Sequence, residues 1–134
     1  MGDLTDHFSR SEFACQCGCG TGKVSFSLVK QLEEVRKLLG RSVTITSGVR
    51  CASHNANEGG VPNSAHVPKD LNDGEGEAGH AVDISCVYSN NRFELLNILL
   101  LHFNRIGIGR TFIHVDTDIT KDPDVIFHYY KNKA

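Results

Sequence analysis

The chain has 134 residues, and its 14 Lys and Arg stand against 16 Asp and Glu, a formal net charge of −2. That length suits one domain over residues 1–134, able to bury roughly 68–70% of its unfolded surface, and the near-neutral balance excludes the basic stripe of a nucleic-acid binder. The longest apolar run, residues 98–101, is far below the ~20 residues that cross a bilayer, so no membrane partner is expected and a monomer is the default.

The opening Met1-Gly2-Asp3-Leu4-Thr5-Asp6 is polar and shows no secretory signal, which predicts synthesis in a cytoplasm. Five cysteines, an odd number, argue in that setting against a disulfide framework. Cys15, Cys17 and Cys19 alternate within a glycine-rich turn. They read by default as small polarisable residues lining it. A structural zinc there would need a fourth ligand from His7, Cys51 or Cys86.

A helix is predicted from about residue 27, because Leu28, Leu32, Val35 and Leu39 recur at helical spacing and Gly40 stands at its stop. Residues 43–46 alternate β-branched side chains and read as a strand. Residues 47–79 read as loop. A second strand is expected at 80–85, and a helix over 91–104 capped by Asn91, with Phe93, Leu96, Leu100 and Phe103 as its core stripe. Gly107-Ile108-Gly109 reads as a turn into a strand at 111–117, and a last strand covers 125–130. This order predicts an α+β fold with a small, mostly antiparallel sheet covered by helices on one side.

Ligand-type side chains gather on three segments: Ser64-Ala65-His66, His80-Ala81-Val82-Asp83-Ile84 and Phe112-Ile113-His114-Val115-Asp116. Strand alternation puts Phe112, His114 and Asp116 on one face, and Ala81, Asp83 and Ser85 on one face. If the two strands are neighbours, Asp83 and His114 look out together on the open sheet face, and His66 can complete a three-ligand site. Two imidazoles and a carboxylate are a ligand set of catalytic zinc. Zinc polarises a carbonyl and lowers the pKa of a bound water toward ~7.

Ser47-Gly48-Val49-Arg50, His54-Asn55, Gly59 through His66, Gly79 through Ile84 and Phe112 through Asp116 together resemble the zinc D-alanyl-D-alanine carboxypeptidase family. That group of LAS-type zinc peptidases includes peptidoglycan endopeptidases and phage endolysins. Leu4 through Phe13 and Cys15-Gln16-Cys17-Gly18-Cys19 look like its N-terminal part. The resemblance implies a zinc peptidase acting on peptidoglycan stem peptides, with His66, Asp83 and His114 as metal ligands. It makes Arg50 a residue that holds substrate carboxylate or carbonyl oxygens, for which a planar guanidinium is suited. Ser64 orients the His66 loop or the substrate, or is a plain turn residue.

Two departures stand out. Asp83 stands seventeen positions after His66, more than the family's usual interval, so Asp73 competes as ligand; the strand context favours Asp83. The extra residues, 68–77, read as a mobile, solvated acidic loop beside the site. Thr111 occupies the position three before His114 where several relatives carry an acid. Asp116 is therefore the candidate general base, with an orienting role for a ligand histidine as the equal alternative. His80 turns away from Asp83, while His54 and His128 are minor candidates for substrate contact. A non-catalytic wall-binding or virion structural module on the same fold is the rival reading.

Overall fold

The computed structural model describes residues 2–130. Ser9 opens a short 3-10 turn, Arg10–Glu12, and exchanges a capping-box pair of bonds with Glu12. Helix α1, Phe26–Leu39, starts at Ser25, whose Oγ accepts from Leu28 N, and ends at Gly40. Its buried stripe, Leu28, Val29, Leu32 and Val35, faces the core. Glu33 is also buried there. It accepts from His7 N at 2.8 Å and pairs with His7 Nδ1 at 2.5 Å, which moors the N-terminal arm to the helix.

Three antiparallel neighbours and one parallel neighbour build the main sheet. Strands β1 (Ile45–Ser47), β4 (Ala81–Ser85), β5 (Arg105–Ile108), β6 (Phe112–Asp116) and β7 (Val125–His128) lie in the order β1-β4-β6-β5-β7. Only β5 and β7 run parallel. Val82, Ile84, Ile106, Ile113 and Val115 share one face and join the α1 stripe, Leu95 and Leu99 in one apolar cluster. Helix α3, Ser89–His102, packs on α1 and completes that layer. The opposite face is left for polar side chains, the α+β architecture expected.

Several elements differ from the expectations. The third strand is preceded by another, β5, where a turn is predicted, because Ile106 and Ile108 flank Gly107 and both reach the apolar side. Helix α3 buries Leu95 and Leu99, whereas Phe93 is 74% and Leu100 49% exposed. Apolar residues at 93, 95, 96 and 98–101 leave no single polar face, so spacing alone does not choose the buried one. No side-chain bond from Asn91 caps the helix; Tyr88 holds the N-cap position.

Within the stretch read as loop, α2 (Ala52–Asn57) and the strand pair β2 (Lys69–Asp70) and β3 (Glu77–Ala78) form. The 68–77 segment is thus a tethered hairpin and not a free loop. Glu75 at its tip accepts from Ser25 Oγ at 2.7 Å and from Phe26 N, at the first turn of α1. Burial alone would raise the Glu75 carboxyl, but bonds from Ser25 and the Phe26 amide outweigh it and lower it. Lys69 Nζ reaches the buried Asp118 at 2.7 Å, tying the other end beneath β6.

Candidate metal centre

Ladder register assembles the site. Ser47 pairs with Asp83, Asp83 with His114, His114 with Gly107, and Gly107 with Phe127. These five residues form one row across five strands, so Asp83 and His114 point to the same polar face. His66 arrives from the turn after α2. Its own N–H is held by Ser64 Oγ at 3.2 Å, the loop-orienting role among those open for Ser64.

The ligand atoms of His66, Asp83 and His114 all lie within 4.8 Å of one another, and all three residues are buried. His114 Nδ1 is 2.9 Å and His66 Nε2 3.3 Å from Asp83 Oδ1. Each ring is locked from outside. His66 Nδ1–H donates to Gly48 O at 2.7 Å, and His114 Nε2 pairs with Asp116 Oδ2 at 2.8 Å. The remaining nitrogen of each ring therefore faces Asp83. This outer bonding is the usual device that fixes tautomer and ring plane in metal-ligating histidines. The donor set and its convergence fit a divalent zinc-type ion.

Electrostatics follow the same geometry. Burial would raise the Asp83 carboxyl, but bonds from His114 and His66 prevail and hold it well below the ordinary carboxylate range. Burial works against a charged His114, yet its bonds to Asp116 and Asp83 raise its pKa above the ordinary value. Asp116 is held low in spite of burial, through His114 and Arg105.

Asp116 lies against the outer nitrogen of His114, where an orienting residue would stand. Its Oδ2 accepts from His114 and its Oδ1 from Arg105 Nε at 2.8 Å, so neither oxygen stands free as a base over the centre. Arg50 lies beside Asp83, with Nη2 3.3 Å from Oδ2, and is further held by Ser47 Oγ at 3.0 Å. Asp73 is exposed on the hairpin and accepts from Glu75 N, away from the histidines. His80 is buried against Lys69 O, His54 lies 3.8 Å from Glu58, and the exposed His128 stacks on Tyr130.

Five contributors carry no role in the sequence reading. Gly48 acts through a carbonyl, which no side-chain motif reveals. Arg105 sits on the strand read as a turn. Asn55 lies buried in the unpredicted α2, where Nδ2 holds Val61 O at 2.7 Å and Oδ1 is 3.5 Å from Arg50. Phe127 and Tyr129 place their rings 5.7 and 5.9 Å from that of His114, forming an aromatic wall. Both lie on the site face because Phe127 pairs with Gly107; alternation along β7 was the available signal.

Outside this centre, Cys15, Cys17, Cys19 and Cys51 bring their sulfurs within 4.8 Å of one another. The start of α2 delivers Cys51 from a distant part of the chain to the cysteines read as turn lining. His7 pairs with Glu33, and Cys86 is buried in the apolar cluster.

The α+β fold and the convergence of two histidines and an aspartate on one sheet face fit a metallopeptidase. The chain is a member of the family described as Peptidase M15, which it matches over residues 6–116. The match spans His66, Asp83 and His114 and stops before β7 with its aromatic wall. No curated protein matches the chain.

Proposed function

We propose that the protein is a zinc peptidase that hydrolyses the peptide stem of bacterial peptidoglycan, as a D-Ala-D-Ala carboxypeptidase or as an L-Ala-D-Glu or cross-link endopeptidase of endolysin type. The observation that carries this reading is the convergence of His66, Asp83 and His114 within 4.8 Å, with the outer ring nitrogens bound to Gly48 and Asp116. These three residues would hold the ion. Zinc bound there supplies Lewis acidity toward a carbonyl and an acidified water.

The chain's own residues do the rest. Gly48 and Asp116 keep the ring nitrogens aimed inward, and Arg105 keeps Asp116 ionised and in place. Arg50 stands at the rim of the centre, its side chain 16% exposed, and grips a carboxylate or carbonyl oxygen of the stem peptide. Phe127 and Tyr129 wall one side of the His114 ring. The substrate lies outside the cell membrane, so the enzyme reaches it at the wall, in the manner of a lytic enzyme released when the membrane is breached.

Thr111 favours a second reading, a wall-binding or virion module without turnover. It occupies the position where relatives carry an acid, it is exposed, and both Asp116 oxygens are engaged. Incubation of zinc-loaded protein with purified peptidoglycan separates the two. Release of stem fragments that a chelator stops and zinc restores supports the peptidase, and mass spectrometry of the fragments identifies the bond. Binding to the wall without any metal-dependent release overturns it.

A further inference from the structure

The four sulfurs of the cysteine cluster lie within 4.8 Å of one another, and two of their separations come close to the edge of a tetrahedral centre. Cys15 Sγ and Cys17 Sγ are 3.4 Å apart, and Cys17 Sγ and Cys51 Sγ 3.6 Å. A tetrahedron with zinc–sulfur arms of ~2.3 Å has edges of about 3.8 Å, whereas a disulfide brings its sulfurs to about 2.05 Å. All four cysteines are free thiols, and Cys17 and Cys19 are exposed, which sets them apart from cysteines used as core filling.

The backbone around them is shaped for convergence. Alternate residues of an extended segment would share a face without meeting. Gly18 and Gly20 break that geometry with φ of 82° and 85°, and a Cβ at either would meet open space, so glycine serves the backbone there. Cys15 N closes the loop on Thr21 O at 2.8 Å. Three sulfurs also receive amide N–H groups, each at 3.4 Å: Cys15 from Cys51, Cys19 from Thr21 and Cys51 from His54. Such donors stabilise the anionic sulfur that a metal needs.

We propose that Cys15, Cys17, Cys19 and Cys51 bind one structural zinc ion. On binding, the four thiols release their protons to solvent and four zinc–sulfur bonds form, leaving a doubly negative centre capped by the amide donors. The ion links the N-terminal loop to the start of α2. Val49 N donates to Phe13 O at 2.8 Å just beside it, so the clamp braces the Gly48–Arg50 segment. That segment supplies the carbonyl that orients His66 and the guanidinium beside Asp83.

The test uses the full-length His66→Ala/His114→Ala variant, which removes the sheet site and leaves the cysteines intact. Loaded with cobalt, it binds one equivalent and shows a thiolate-to-cobalt charge-transfer band, and a mercurial releases the metal. A variant that binds no metal, or binds it without that band, overturns the proposal. The zinc-loaded wild-type chain gives an independent measure. Its four clustered thiols resist alkylation until a chelator is added; free reaction of all of them, or a disulfide among them, overturns the proposal. Neither readout depends on peptidase activity, so failure of the cleavage assay leaves this result standing.

Discussion

The two clusters of ligand-type residues are built on opposite principles. His66, Asp83 and His114 rest largely on a ladder: Asp83 and His114 are paired across β4 and β6, and four outer bonds fix the rings and Asp116 before any ion arrives. The cysteines rest on loop, where left-handed glycines and amide-to-sulfur bonds are the main restraints. A strand-borne site is preorganised by hydrogen bonds that also hold the fold, which suits chemistry. A loop-borne site draws its order from the ion, which suits a staple.

That contrast can be broken at the strand site first. Asp116→Ala removes the acceptor that orients His114 and leaves Arg105 without its carboxylate partner. It is expected to cost about 10–100-fold in metal affinity at the sheet site or in cleavage rate, with metal at the cysteines retained. Metal titration monitored alongside peptidoglycan release checks this, and Asp116→Asn, which keeps an acceptor, recovers part of the loss. Equal loss at both clusters would erase the distinction.

The aromatic wall tests how far preorganisation extends. A Cβ on Gly107 would sit 2.6 Å from Phe127 and 2.7 Å from Tyr129, so the missing side chain is what lets both rings lie over the sheet toward His114. Gly107→Ala overpacks this place and is expected to destabilise by about 1–3 kcal/mol in chemical unfolding. Under the proposed peptidase activity its substrate KM should rise more than kcat falls, because the wall lies outside the three residues proposed to hold the metal.

The smallest effect concerns the arm that carries the cysteines. Burial would raise the Glu33 carboxyl, but the bonds from His7 outweigh it, so its folded pKa lies below the ordinary 4.5. A depressed carboxylate contributes stability above its unfolded value, and loses it as pH falls through the folded one. Wild type should therefore exceed Glu33→Gln by about 1 kcal/mol at neutral pH, and the gap should close below pH 4.5. Unfolding midpoints across that range measure it; a constant gap would contradict the pairing.

Much of the site was legible because strands carry a strict two-residue period. Asp83 and His114 follow from alternation with Val82, Ile84, Ile113 and Val115, whose apolar side chains declare the other face. Helix α1 was legible for the same kind of reason, with four aliphatics at helical spacing ahead of a glycine stop. Helix α2 was not, since Ala52–Asn57 has six residues and buries only Asn55. With α2 unseen, Cys51 could not be singled out from His7 and Cys86 as the partner of the other cysteines, nor Asn55 brought to Arg50. Strand β5 hid because Gly107 reads as a turn residue when the reason for glycine is a ring from β7, twenty residues on. The role of Asp116 was undecided by sequence, since its partner Arg105 lies on that same strand.

The most direct test of the metal centre is anomalous scattering at the zinc edge from crystals of the zinc-loaded protein. The account predicts a peak bonded to His66 Nε2, Asp83 and His114 Nδ1, with Asp116 still holding the far nitrogen of His114. An empty position between those three side chains, or an ion bound through His114 Nε2, would contradict it.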